Sequence, residues 1–229
     1  MSAREINRYL IIAFCLLILS LAFFEYSDFD IFLQNKFYNS QEREWAIDAK
    51  EPIKRFIFYI LPKILLGIFI ATILVSMILS FRGKILGNNK YSLIYIFTSL
   101  IIVLLIAGNI KKFTNIKCPN QLNIYNGNYE YTKLFEDRLE DGKIGKCFPA
   151  GHAVTGYSLF VLFFTIANKT KRSIIFFLVF IVGSVLGLYQ MLKGAHFLSH
   201  TIISSITCFI IAALIAKLFV EKKVDITIK

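Results

Sequence analysis

The chain has little of what a soluble enzyme relies on. Of its 229 residues only three are histidine, and 15 are Asp or Glu against 26 Lys or Arg. None of the acids falls inside a long apolar run, which argues against an ion-coupled transporter, whose intramembrane carboxylates bind or relay the driving ion. A nucleic-acid motif is lacking despite the net charge of +11; the basic residues sit in short segments between apolar runs, where membrane topology accounts for many of them. No small-x-small cleavage site follows the first apolar run, since Phe23, Phe24 and Tyr26 crowd the place, so that run is read as an uncleaved span rather than a signal peptide. Metal-ligand spacing is poor too. His196 and His200 are four apart and could share a helix face, but His152 is the only other obvious ligand, so neither metal nor cofactor is expected.

What is present is apolar: 56% of the residues are hydrophobic and 15% aromatic. Six runs read as membrane spans, at about 9–24, 56–81, 91–110, 153–167, 174–192 and 201–220. The fourth is short and borrows length from its histidine end. The expected fold is all-α: one polytopic membrane domain over residues 1–229, with outer loops at 25–55 and 111–152. The 25–55 segment mixes acids with Phe29, Phe32, Phe37 and Trp45, which fits either short interfacial helices with aromatic anchors or a plain loop. Residues 120–146 fit a headgroup lid or a solvated linker equally. Gly183 and Gly187 are spaced to let another helix approach closely. Lys63, near the outer end of the second span, is read as a snorkelling lysine. The heavy use of Ile, Lys, Asn and Phe fits an AT-rich bacterial genome.

Charge bias sets the orientation. The amino end (Arg4, Arg8), the 82–90 and 168–172 segments and the tail (Lys222, Lys223, Lys229) are basic and poor in acid. Six spans place all of them on the cytoplasmic side. The 111–152 loop and the 193–200 stretch then fall together on the periplasmic side, and with them all three histidines: His152 in Phe148-Pro149-Ala150-Gly151-His152, and His196 and His200 in Lys193-Gly194-Ala195-His196-Phe197-Leu198-Ser199-His200. Histidine titrates nearest neutral pH and serves as nucleophile, acid or base. Imidazoles beside lysines at helix mouths suit an anionic substrate.

These residues resemble the type 2 phosphatidate phosphatase superfamily of integral membrane lipid phosphatases. Its three-part signature has a Lys, six residues and Arg-Pro; then Pro-Ser-Gly-His; then Ser-Arg, five residues, His, three residues and Asp. Here the parts are Lys111 with Cys118-Pro119, then Pro149-Ala150-Gly151-His152, then Tyr189-Gln190 with His196 and His200. Cys118 and Gln190 stand where the family has arginine, Ala150 where it has serine and His200 where it has aspartate. The resemblance implies a metal-independent hydrolase with its active site at the periplasmic ends of helices 3–6. His196 would attack phosphorus and form a phosphohistidine; His152 would protonate the leaving oxygen and then activate water; His200 would hold His196 in the attacking tautomer. Lys111, Lys117 and Lys193, with backbone N–H groups near Gly151, would bind the phosphate. The expected partners are a lipid phosphate or diphosphate (undecaprenyl diphosphate, phosphatidylglycerophosphate, phosphatidate or lipid A) and membrane lipids, with no nucleic acid, and the expected place is a bacterial inner membrane. The alternatives are a phosphotransferase on the same fold, or a non-catalytic membrane protein or lipid transporter. Cys118 and Cys147 flank the first two motif parts on the outer side, where disulfides form, and are the candidate bridge; Cys15 and Cys208 read as small apolar residues inside spans.

Overall fold

Long runs of Leu, Ile and Phe with few helix breakers leave the backbone one way to satisfy its own polar groups away from water, the α-helix. The computed structural model describes residues 1–83, 90–136, 145–222 and 224–228. Lys84, Lys223, Lys229 and the charged run from Asp137 to Asp141 lie outside the described residues. The described residues are 74% helical. Five described helices are long and apolar enough to cross a membrane: α1 (Ala3–Tyr26), α3 (Pro52–Phe81), α4 (Lys90–Thr114), α6 (Lys169–Leu192) and α7 (Leu198–Glu221). Between α1 and α3 lie the short helix α2 (Phe29–Gln34) and a minimal hairpin, β1 (Tyr38–Asn39) paired antiparallel with β2 (Glu44–Trp45).

The expected fourth span is the exception. Residues Gly151–Thr165 form a shorter apolar helix, α5, which is α-helical only to Tyr157 and a 3-10 helix from Ser158 to Thr165. A 3-10 turn rises faster per residue, so these few residues still reach about 26 Å, close to the ~30 Å of a bilayer's hydrocarbon.

Local signals explain the ends. Ser2 and Glu5 form a reciprocal capping box on α1, and Asn168 accepts from Lys171 N (3.0 Å) at the start of α6. In α3, Pro62 has no N–H to give the preceding turn, and residues Phe56–Ile60 widen into a π-turn in which Leu61 N bonds Phe56 O. The outer faces of the long helices stay apolar and bare (Ile11 64%, Ile18 65%, Leu65 56% exposed), which fits hydrocarbon rather than water as their surroundings.

The helices run alternately between two ends of the bundle. At one end Arg172, buried, pairs with Glu5 (3.6 Å), and Ile228 N bonds Thr165 O (2.9 Å). The core between the ends joins α1, α4, α5 and α7; Tyr95, fully buried, donates to Ala212 O (3.1 Å). Glycine allows the closest crossings. A Cβ on Gly183 would enter the ring of Tyr157, and one on Gly187 would meet Thr201, so the small-residue spacing marks real helix contacts.

At the other end the two long connections fold over the α6–α7 turn. Leu122, Tyr125 and Phe197 form a second small core with Tyr38, Trp45 and Tyr131 around it. The 25–55 segment and residues 119–131 are therefore packed structure rather than plain linker.

Candidate active site

The α6–α7 turn presents Lys193 and His196. Gly194, at φ +71°, reverses the chain; a Cβ there would be strained and would also strike the Trp45 ring. Three segments of the two long connections hold the turn: Gln34 Nε2 donates to Met191 O (2.8 Å), Ile47 N to Leu192 O (3.2 Å) and Asn120 N to Gly194 O (2.8 Å). Asp30 completes the grip. Its carboxylate accepts from Ser199 N (3.0 Å) at the amino end of α7, a cap supplied from another helix. Burial of Asp30 outweighs these hydrogen bonds and raises its pKa to about 6.

His196 and His200 lie on this turn and the first turn of α7, both buried, with ring centroids 5.7 Å apart and the rings edge to face. Burial first, then interaction with His200, Lys111, His152 and Lys193, holds the His196 imidazole well below its usual range, so it is neutral. A neutral imidazole has a lone pair to attack with. Cys147 and Cys118, the candidate bridge of the sequence, are joined in a disulfide, with Cα atoms 5.1 Å apart. Cys147 Sγ lies 3.3 Å from His196 Nδ1. A disulfide sulfur carries no hydrogen, so the proton of that contact belongs to Nδ1 and the lone pair to Nε2. The expected hydrogen bond between His200 and His196 is not among those of the described residues, and His200 Nδ1 has no partner among them. The sulfur holds the tautomer in the position expected of His200.

His152 enters from the start of α5, after the cis Phe148–Pro149 bond. It lies within electrostatic reach of Lys63, Lys193 and Lys111, and of His196. Gly151 makes room for a cation: a Cβ there would lie 2.8 Å from Lys111 Nζ. Tyr59, within the π-turn, packs its ring at a tilt against His152 (centroids 4.1 Å), with Lys63 Nζ 4.0 Å and Lys193 Nζ 4.9 Å from its ring centroid. Half-buried Lys193 has a lowered pKa from burial and from Arg55 and Lys63. The result is three lysines and two histidines around one small volume, suited to a phosphate.

Most of the residues read from the sequence thus converge: His152, His196, His200, Lys111, Lys193, Gly151 and the cystine. Lys117 does not join them; its Nζ sits 4.2 Å over the Tyr129 ring in the outer connection. Lys63 and Tyr59 were missed. The usable signal was depth: Lys63 lies near the same end of its helix as Lys111 and the histidines. Neither arginine position of the signature carries charge here, because Cys118 is in the disulfide and Gln190 is a buried neutral amide. Lysines at other positions supply it.

The sequence model of the PAP2 superfamily matches residues 92–223, more than half of the chain, including all three signature segments but not Tyr59 or Lys63. Neither a curated protein nor a solved structure gives a match.

Proposed function

The chain belongs to the PAP2 superfamily, and we propose that it is a membrane lipid phosphatase, hydrolysing a lipid phosphate or diphosphate at the outer face of a bacterial inner membrane. Membership carries phosphatase-type chemistry in general; the choice of lipid, mechanism and membrane face is our inference. The observation that carries it is the meeting of His152 and neutral His196 among Lys63, Lys111 and Lys193.

In this scheme the lysine cations and the backbone N–H groups at the start of α5 neutralise the equatorial phosphoryl oxygens. His196 attacks phosphorus through Nε2 while Nδ1–H stays on the Cys147 sulfur. His152 gives its proton to the leaving oxygen, then takes one from the water that breaks the phosphohistidine. Six traverses of the bilayer, with α5 the shortest, bring these groups to the outer boundary, where an anchored phosphate sits. The absence of a charged signature arginine leaves point charges in place of bidentate forks, so a mobile phosphate is gripped less specifically.

The test is phosphate release by the purified protein from a panel of undecaprenyl diphosphate, phosphatidylglycerophosphate, phosphatidate and lipid A, with mass analysis of the products. Release from at least one of them, lost in His196→Ala, is the expected result. Transfer of the phosphoryl group to a second lipid would replace hydrolase by phosphotransferase, and inactivity on all of them would refute the phosphatase.

A further inference from the structure

The sulfur beside His196 has a second chemistry. Cys147 Sγ and one nitrogen each of His196 and His200 lie within 4.8 Å of one another, and all three residues are buried, at 0%, 4% and 3% exposure. His200 Nδ1 is a buried polar atom without a partner among the described residues, an arrangement that ordinarily destabilises a fold. Neighbouring ligands of a tetrahedral zinc ion, with Zn–S ≈ 2.3 Å and Zn–N ≈ 2.0–2.1 Å, lie about 3.3–3.6 Å apart. The Cys147–His196 separation of 3.3 Å is within a few tenths of an ångström of the sulfur–nitrogen edge of such a site. In the oxidised chain the sulfur offers no thiolate.

We propose that reduction of the Cys118–Cys147 disulfide uncovers a zinc site made of Cys147 Sγ, His196 Nδ1 and a His200 nitrogen, with Cys118 as the fourth donor within reach. The reductant is a dithiol. Its thiolate bonds to the sulfur of Cys118, the less buried of the pair. The S–S bond breaks and its electron pair leaves on Cys147 as thiolate. The reductant's second thiol then closes its own disulfide and frees Cys118. Two electrons pass from the dithiol to the chain. The new thiolate lies 3.3 Å from His196, a ring that also feels the Lys111 and Lys193 cations, and a thiolate with two imidazoles is a donor set that zinc-class cations prefer.

Zinc on Nδ1 moves the remaining ring proton of His196 to Nε2. The nitrogen assigned to attack then has no lone pair, and the nearby dication opposes positive charge on the ring. Turnover stops while metal is bound. The metal site stands without the phosphatase reading; only this effect on turnover rests on it.

Cobalt(II) is the probe, added to full-length protein in detergent, either oxidised or reduced with a dithiol that is then removed under anaerobic conditions. The reduced protein is expected to show thiolate-to-cobalt charge transfer and the visible bands of four-coordinate cobalt, with affinity on the order of 10²-fold or more above the oxidised protein. Cys118→Ser, which frees Cys147, should bind without reductant. Cys147→Ser, which frees only Cys118, should not bind in either state. Both variants lack the cross-link, so its loss does not separate them, and Cys15 and Cys208 are retained in both. Bands absent from both reduced wild type and Cys118→Ser, equal in the oxidised protein, or undiminished in Cys147→Ser would each overturn the site. Phosphate release should be inhibited by zinc only after reduction. Cobalt bands without such inhibition would uphold the site and count against His196 as nucleophile, whereas intact phosphate release without bands would sink the site and leave the phosphatase standing.

Discussion

Lys63 shows how a single charge can be reassigned by packing. In the sequence it is a lysine near the end of an apolar run. In the fold its ammonium lies over Tyr59 and acts on His152, Lys111 and Lys193. A hydrogen bond to a charged group contributes about 1.5–3 kcal/mol, so Lys63→Ala should lower kcat/KM by roughly 10–100-fold on the best lipid substrate, with little change in thermal stability. Unaltered kcat/KM would return Lys63 to a snorkelling role. Asp30 gives a stability prediction with a definite sign. The folded chain keeps its proton up to about pH 6, while the unfolded chain loses it near the ordinary carboxyl value of 3.8. Folding is therefore weakened as pH rises through that window, by about 3 kcal/mol once the group is ionised. Asp30→Asn still accepts from Ser199 N but does not ionise. Its melting temperature in detergent should fall less between pH 4 and 7 than that of the wild type; identical slopes would show that Asp30 does not titrate there.

At the scale of elements, two features bring the site together. The π-turn in α3 is tied to Pro62 and aims Tyr59 at His152. The α5–α6 crossing depends on Gly156 and Gly183, whose backbones approach so closely that neither tolerates a side chain. Since α5 brings His152 and α6 brings Lys193, this contact sets their separation. Gly183→Leu must push Tyr157 aside, an overpacking cost of about 1–3 kcal/mol or more. Melting temperature and turnover should fall together in that variant. A variant as stable and as active as the wild type would mean that the helices cross elsewhere.

At the scale of the molecule, the amino ends of α1 and α6 meet at one end of the bundle through Glu5 and Arg172, and the histidines lie at the other. That arrangement predicts an accessibility pattern. In a background without the native cysteines, a cysteine at Asn168 should be shielded from an impermeant thiol reagent in intact cells, and one at Asn126 should be labelled. Labelling of Asn168 from outside would reverse the orientation and remove the outer-leaflet substrate with it.

The sequence by itself determined the helical class, the long apolar helices at either side of α5, the three motif segments and Cys118 and Cys147 as a candidate pair. Each of these is local: hydropathy over some twenty residues, a fixed spacing, or two cysteines beside neighbouring motifs. Even α5 was legible as a short apolar run, although its change to 3-10 geometry was not. Tertiary structure decided what depends on contacts between residues far apart in the chain. Lys63 meets Lys111 and Lys193, Lys117 turns instead to Tyr129, Asp30 caps a helix 169 residues away, and a disulfide sulfur takes the nitrogen expected of His200. The physical reason is that a phosphate site needs a total of charge and a set of directions, which several residues can supply. Which of them does so is settled by the crossing of helices and the folding of the outer connections, and neither has a sequence period.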